Sequence, residues 1–476
     1  MKEEKTMTEK KTSYLAPALI LICTVAALIT MVGVIKCNVA VSLMIVGIIT
    51  IFLAQATGAK WETISVNIGE AINTVYIGVF IMMLVGMLIG SWMAAGTVPM
   101  LMYYGLKWLS PSIFLVATCI LCSLMSIMTG TSWGTIGTMG IALIGVAKGL
   151  GVNEMYTIGA VVTGALIGDK MSPLSDTTIL APTVSGTDVY KHIVSMLYTT
   201  VPAFVISIVM YAILGINHTG SSVVTESYTE IMNTLSANFN MNILSLLPPI
   251  LVVVLILLKK PSIPTFGIGI FAGGVVAALI QGRGFKEIVG ICANGFSVDT
   301  GSDIVNSMVN RGGLLNMMST IAVIIAAALF SGALKSCGVF EMLCDIIKKI
   351  AKGRRSVLAS SYVLHFLLYA LTGSYFVTFS IVGPMMGPIF DEYDIDRRNL
   401  SRMLEDTGTT AAPLIPWSTF SVYVAGALGV SSWSYLLYCP LSYLGLITAA
   451  IYIVTGFGIF RRDGSMLCSN KAVDKA

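Results

Sequence analysis

The chain has 476 residues, of which 56% are hydrophobic and only 11% charged, with a mean hydropathy of +0.87. Soluble proteins carry roughly 25% charged residues, so a water-soluble globule is excluded. The net charge of +4 sits on lysines and arginines in short loops, a distribution that gives no sign of nucleic-acid binding.

Residues 1–13 are polar and basic and read as a cytoplasmic tail. The apolar run 14–35 follows. A secretory leader would have a shorter core and a small-residue cleavage site, so 14–37 is expected to be a retained, extra N-terminal transmembrane helix. Further spans are expected at 38–58, 75–95, 192–215, 242–258, 262–280 and 314–335, because about 20 apolar residues cross a bilayer as a helix. Regions 113–147, 154–187 and 356–460 are longer or interrupted by polar residues, glycine and proline. The alternating pattern of a membrane barrel is absent. The expected class is an all-α polytopic membrane protein with about 10 to 14 membrane segments. Cys119 and Cys122 form a C-x-x-C, but on an apolar predicted helix they read as small buried hydrophobes.

Orientation follows the lysine and arginine bias of the loops. The N-terminal tail, Lys259-Lys260, the cluster Lys348, Lys349, Lys352, Arg354 and Arg355, then Arg397, Arg398 and the 461–476 tail with Arg461-Arg462 are expected in the cytoplasm. The loop 216–241 has neither Lys nor Arg and is expected outside. These assignments thread together only if 113–147 and 356–390 each return to the side they entered from, as re-entrant hairpins or as pairs of true spans.

The two halves resemble each other. "GSWMAAGTVPML" (90–101) aligns with "GALKSCGVFEML" (332–343), and "TGTSWGTIGTMG" (129–140) with "TGSYFVTFSIVG" (372–383). "WETISVNIGEAI" (61–72) aligns loosely with "FKEIVGICANGF" (285–296). In the second register Pro173 falls opposite Pro416 and Ser175 opposite Ser418. The charge bias runs partner spans in opposite directions. Segments 38–215 and 262–460 therefore read as inverted repeats, joined by an external loop and linking helix at 216–261. That is a secondary-transporter plan, with the site where broken helices of the two repeats meet.

Four broken segments mark that meeting point: 128–137 with Thr129, Gly130, Thr131 and Ser132; 168–178 with Pro173; 371–378 with Thr372, Gly373 and Ser374; and 405–419 with Pro416. Glycine and proline free backbone carbonyls, which membrane depth tolerates only inside protein or beside a wet cavity. Carbonyls, hydroxyls and a carboxylate suit a hard cation such as Na⁺, and the sulfur or imidazole of a transition-metal site is missing. A charge at the bilayer centre costs about 2.5–3.5 kcal/mol, which singles out Asp169, Asp176, Glu405 and Asp406. A desolvated carboxylate there can carry a proton or ligate Na⁺. Competition of the two ions for one carboxylate would produce exchange.

Plainer readings stand beside these. Asp169 and Lys170 would neutralise each other, Asp176 would cap a half-helix with Ser175 and Thr177, and Glu405 would pair with Arg402 at helical i+3 spacing. His192, beside Lys191, is expected to be solvated. His365 lies in an apolar run, where either packing or a proton or gating role is open. Trp133 and Trp417 read as packing or cavity residues. The chain lacks a phosphate-binding loop, an H-E-x-x-H and a G-x-S-x-G, so an ATP-driven pump or an enzyme is not expected. An intramembrane protease on Ser132 or Ser175 would need a histidine in a matching break, and none lies there.

"GALIGDKMSPLSDTTILAPTVSGTDVYKHI" (164–193), together with "TGTSWGTIGTMG" and "EDTGTTAAPLIPW", resembles the signature of NhaC-type Na⁺/H⁺ antiporters over about residues 14–460. The resemblance implies secondary active transport in a bacterial-type cytoplasmic membrane, inverted repeats and no bound cofactor. It puts Asp169, Ser172, Asp176 and Thr177 in the ion site and adds Glu405, Asp406 and Thr409 from the second half. Members of that family also include Na⁺-coupled exchangers of organic acids. For a malate, lactate or amino-acid substrate, Lys170 or Arg402 would contact the carboxylate. The expected partners are the lipid bilayer and the transported Na⁺, H⁺ or small solute, and a homodimer is compatible with this reading.

Overall fold

A computed structural model describes residues 14–469 apart from 29, 32–34, 36, 173–174, 217–222, 259 and 351. Pro173, the N-terminal tail 1–13 and the last residues, 470–476, lie outside the described residues. Among the described residues the chain is helical, with one isolated β-bridge between Phe460 and Met466.

The first half contains α1 (Leu15–Leu28), α2 (Val39–Ala56), α3 (Trp61–Ala94), α4 (Thr97–Trp108) and α5 (Pro111–Thr129). Next, α6 (Ser132–Thr135) passes through a π-helical turn, Ile136–Gly140, into α7 (Ile141–Gly149). Helices α8 (Glu154–Met171), α9 (Asp176–Ser185) and α10 (Val189–Ile216) complete it. The link contributes α11 (Val223–Asn238) and α12 (Leu247–Leu257). The second half contains α13 (Ser262–Gln281), α14 (Phe285–Asn294), α15 (Asp303–Val309), α16 (Met318–Ser336) and α17 (Val339–Ile350). It ends with α18 (Arg354–Thr372), α19 (Tyr375–Glu392), α20 (Arg397–Thr407), α21 (Thr419–Leu428) and α22 (Pro440–Thr455). Four helices, Val39–Ala56, Val189–Ile216, Ile263–Gln281 and Leu315–Ser336, are each long and apolar enough to cross a bilayer. The chain is a multi-pass, all-α membrane protein.

The helices recur in order. Helices α5, α6, α8 and α9 begin at Pro111, Ser132, Glu154 and Asp176, and α18, α19, α20 and α21 begin 243 residues later, at Arg354, Tyr375, Arg397 and Thr419. The local signals recur with them. Gly130 at φ 69° ends α5 and Gly373 at φ 66° ends α18, a left-handed stop that glycine adopts without a Cβ penalty. Asn153 caps α8 and Asp396 caps α20, each accepting a backbone N–H with its side chain. One stretch departs from this pattern. Helix α3 is continuous, whereas its aligned counterpart is split into α14, α15 and α16, with Gly295, Gly301, Gly312 and Gly313 at positive φ between them. Helices from the two halves interleave, α2 against α16 and α3 against α13.

Both uncertain segments return to the end of the molecule they left. Across the mouth of the α18–α19 hairpin, Arg354 Nε donates to the Tyr393 carbonyl at 2.9 Å and Nη2 to Asp394 at 3.0 Å. In the first half α5 and α8 run parallel, with Cys119 beside Gly164 and Ser126 beside Gly168. Helix α7 ends just before α8 begins, so its end is level with the start of α5. Glycines permit this close approach, as between membrane helices generally. Cys119 and Cys122 are buried, unpaired thiols on α5.

Candidate functional site

The first-half site is built on two helix breaks. Asp169, in the last turn of α8, is 4% exposed and turns its carboxylate to the N-terminus of α6. Its Oδ1 accepts the Ser132 N–H at 3.1 Å and the Ser175 hydroxyl at 3.3 Å, and Oδ2 accepts the Ser132 hydroxyl. A helix N-terminus favours a negative charge there. The Asp169 carbonyl, freed where α8 stops, accepts the Thr177 hydroxyl at 3.0 Å and the Thr178 hydroxyl. Thr131 caps α6 through the Gly134 N–H at 3.2 Å. Ser172 is buried at the C-terminal end of α8, and Thr129 closes α5. Asp176 is the first residue of α9, with Ser175 in the cap position; it is exposed, and no described group hydrogen-bonds to its carboxylate.

The second-half groups lie deeper. Asp406 is fully buried and accepts Lys170 Nζ at 2.7 Å, the Thr199 hydroxyl at 3.0 Å and the Tyr362 hydroxyl at 3.1 Å. Glu405, also fully buried, accepts the Thr409 hydroxyl on Oε2 and leaves Oε1 without a partner. Asp169, Lys170 and Thr177 all lie within interaction range of it. Ser374 and Thr372 contact each other at 3.4 Å. The Thr419 N–H donates to the Gly373 carbonyl at 2.8 Å, joining the α18 break to the start of α21. Pro416 is buried in the preceding turn.

These placements correct several expectations. Lys170 pairs with Asp406, so it does not neutralise its neighbour Asp169. Arg402 forms no ion pair with Glu405; its guanidinium donates to the carbonyls of Gly458 at 2.8 Å and Ser195 at 3.3 Å. His192 is fully buried, not solvated, with Nδ1 2.7 Å from the Ser401 hydroxyl, because α10 turns it onto α20. His365 is likewise buried against Thr407 at 2.6 Å.

A cavity of about 350 Å³ opens beside the first break. Asp169, Asp176, Thr131, Ser175, Thr177 and Thr419 supply its polar lining, and Trp133, Tyr375 and Phe376 form an aromatic wall. Among the described residues, no Lys or Arg lines it. Glu405, Asp406 and Thr409 are buried and do not line it, but Glu405 lies within interaction range of Asp169 and Thr177, which do. The sequence reading missed Tyr375, Thr199 and Tyr362. Thr199 and Tyr362 lie in apolar runs with only their own hydroxyls as a signal, Tyr375 lies within the 371–378 break but was not singled out there, and the partner of each is remote in sequence.

Among the ionic groups of this region, Lys170 compensates Asp406 and backbone carbonyls hold Arg402. Asp169 and Asp176 form no ion pair with a described Lys or Arg, and Glu405, although within range of Lys170, forms none either, because Lys170 Nζ is bound to Asp406. An isolated carboxylate away from water needs a cation or a proton. The arrangement can therefore hold either ion, one replacing the other.

The sequence profile of the Na⁺/H⁺ antiporter family matches residues 6–183 and 164–457. The malate-2H⁺/Na⁺-lactate antiporter of Bacillus subtilis (strain 168) is 38% identical over 86% of this chain and 87% of its own. The Na⁺/H⁺ antiporter NhaC of Alkalihalophilus pseudofirmus is 33% identical over 95% and 97%. The arginine/ornithine antiporter ArcD of Halobacterium salinarum is 35% identical over 84% and 82%. With its profile matched along nearly the whole chain and relatives covered almost end to end, this protein belongs to the Na⁺/H⁺ antiporter family.

Proposed function

We propose that the chain exchanges Na⁺ for H⁺ across a cytoplasmic membrane by alternating access, with both termini in the cytoplasm and the two halves acting as inverted repeats. Asp176 and Asp169, with the hydroxyls of Thr131, Ser175 and Thr177, take the cation. Glu405, behind Thr177, takes a proton. The observation that carries this reading is the cavity wall, which is lined by two carboxylate residues, four serine and threonine residues and the Tyr375 phenol, and by no basic residue among those described. Lys170 and Arg402, the cations an organic acid would need, are buried and engaged elsewhere.

A second reading, coupled exchange of a small organic acid or amino acid, is supported by the cavity's size. About 350 Å³ far exceeds the roughly 30 Å³ that one water occupies in the liquid. The substrates printed in the names of two relatives point the same way.

Reconstitution in liposomes separates the two. A Na⁺ jump is expected to collapse a preset pH gradient with no organic solute present. Collapse only after malate, lactate or an amino acid is added would establish the second reading and overturn the first. Glu405→Gln is expected to abolish proton-coupled flux while Na⁺/Na⁺ exchange persists; intact coupling would remove Glu405 from the proton path.

A further inference from the structure

A second cavity lies along the same three helices as the central one. It measures about 220 Å³ and is lined by Asn67 and Glu70 of α3, Ser331 and Lys335 of α16, and Ser380 of α19. The central cavity takes Val75 and Ile81 from α3, Ile324 from α16 and Phe376 from α19. On each helix the second set lies one to three turns, at 3.6 residues per turn, towards the end that the loop charges assign to the cytoplasm.

Close backbone packing fixes this arrangement. A Cβ at Gly332 would stand 2.5 Å from Ile68 Cα and 2.8 Å from the Asn67 carbonyl. That contact brings Lys335, one turn further on, to Glu70, with Nζ 2.7 Å from Oε2. The pair stands at the surface, the two side chains 33% and 59% exposed. Ala71 and Val377, 6% and 8% exposed, also line it, and each lies within about one helical turn of a residue of the central cavity, Val75 and Phe376 respectively. The second cavity thus combines an exposed ion pair with hydroxyl, amide and buried apolar side chains, on the same helices as the carboxylate-lined cavity.

We infer that this groove between α3, α16 and α19 is the cytoplasmic access route to the central cavity, with Glu70 as the cation-capture group at its mouth and Lys335 as the counter-charge that occupies Glu70 between captures. A carboxylate at the mouth of a cleft raises the local concentration of cations. The ammonium tied to it must be displaced by an arriving Na⁺, which makes the pair a gate. This inference rests on the cation-exchange reading and assigns its inner pathway.

The test uses the full-length protein in inverted and right-side-out membrane vesicles. Glu70→Gln is expected to raise the half-saturating Na⁺ concentration at the cytoplasmic face about two- to fivefold, the range of an exposed charge pair. Lys335→Gln is expected to lower it by a similar factor. The external value stays unchanged in both variants. Equal shifts at both faces, or none, overturn the assignment. A second readout does not depend on antiport. Ser331→Cys and Ser380→Cys are expected to react with an impermeant cationic thiol reagent added from the cytoplasmic face, above the wild-type background, and Glu70→Gln is expected to slow that reaction. No reaction, or reaction only from outside, overturns the route. If the wild type moves no Na⁺, the exchange reading fails, and the thiol reaction alone decides whether the route stands.

Discussion

In the first half the break between α8 and α9 carries Asp169 and Asp176 to the wall of a cavity, whereas in the second half the end of α20 carries Glu405 and Asp406 into full burial. The backbones of the two regions match helix for helix at a spacing of 243 residues. Their charges do not match. Opposite Asp169 and Asp176 stand Ala412 and Thr419; opposite Glu405 and Asp406 stand Val162 and Thr163. The template of broken helices is duplicated, and the chemistry laid on it is divided. The first-half carboxylates line the cavity, beside aromatic and hydroxyl residues of both halves. The second-half carboxylates are fully buried, with Asp406 tied across by Lys170 of the first half.

The largest expected effect tests that division directly. Asp176→Asn should abolish Na⁺-dependent flux, by about two orders of magnitude or more if a compensating charge is lost, while leaving the protein folded in the membrane. Thr419→Val, at the matched position, should reduce flux far less. Isotopic Na⁺ uptake into liposomes measures both, and equal losses would erase the contrast.

Next comes the tie between the halves. Lys170→Met leaves Asp406 buried without its cation and should destabilise the protein by about 3–5 kcal/mol. Adding Asp406→Leu should restore most of that loss. Thermal unfolding in detergent reads the sequence of variants. A single variant as stable as the wild type would mean that the pair does not hold the halves together.

A smaller effect is expected from helix approach. Gly168 of α8 lies against the Ser126 backbone of α5, whereas its matched residue is Ala411. Gly168→Ala should cost about 1–3 kcal/mol through overpacking, measured by the same unfolding. A neutral result would show that α5 can move away.

The smallest effects belong to the shared helix starts. Asn153→Ala and Asp396→Ala each remove an N-cap and should cost about 1 kcal/mol. Asp396→Ala should cost more, because Asp396 also accepts Arg398 Nη2 at 2.9 Å. Identical losses would make the two starts equivalent.

How much of this was legible in the chain depends on the range of each interaction. The apolar spans, the four breaks and the recurrence of motifs were readable because hydropathy, glycine and proline act within a few residues of themselves. Gly130 and Gly373 end their helices by local backbone geometry alone. The ion pairs were not readable in this way. Lys170 has an adjacent aspartate in the chain, yet its partner lies 236 residues away. Arg402 has Glu405 at helical spacing, yet the two side chains part, one towards α10 and the loop at Gly458, the other towards the first-half break. His192 follows a lysine and still packs inside.

Sequence by itself therefore determined that this is a helical membrane protein with paired polar breaks, since burial of apolar surface in lipid and backbone breaking are local properties. Only the tertiary structure decided which carboxylates face a cavity, which is paired with Lys170 and which stays buried with an oxygen that no group hydrogen-bonds. Those outcomes depend on how helices remote in sequence stack against one another.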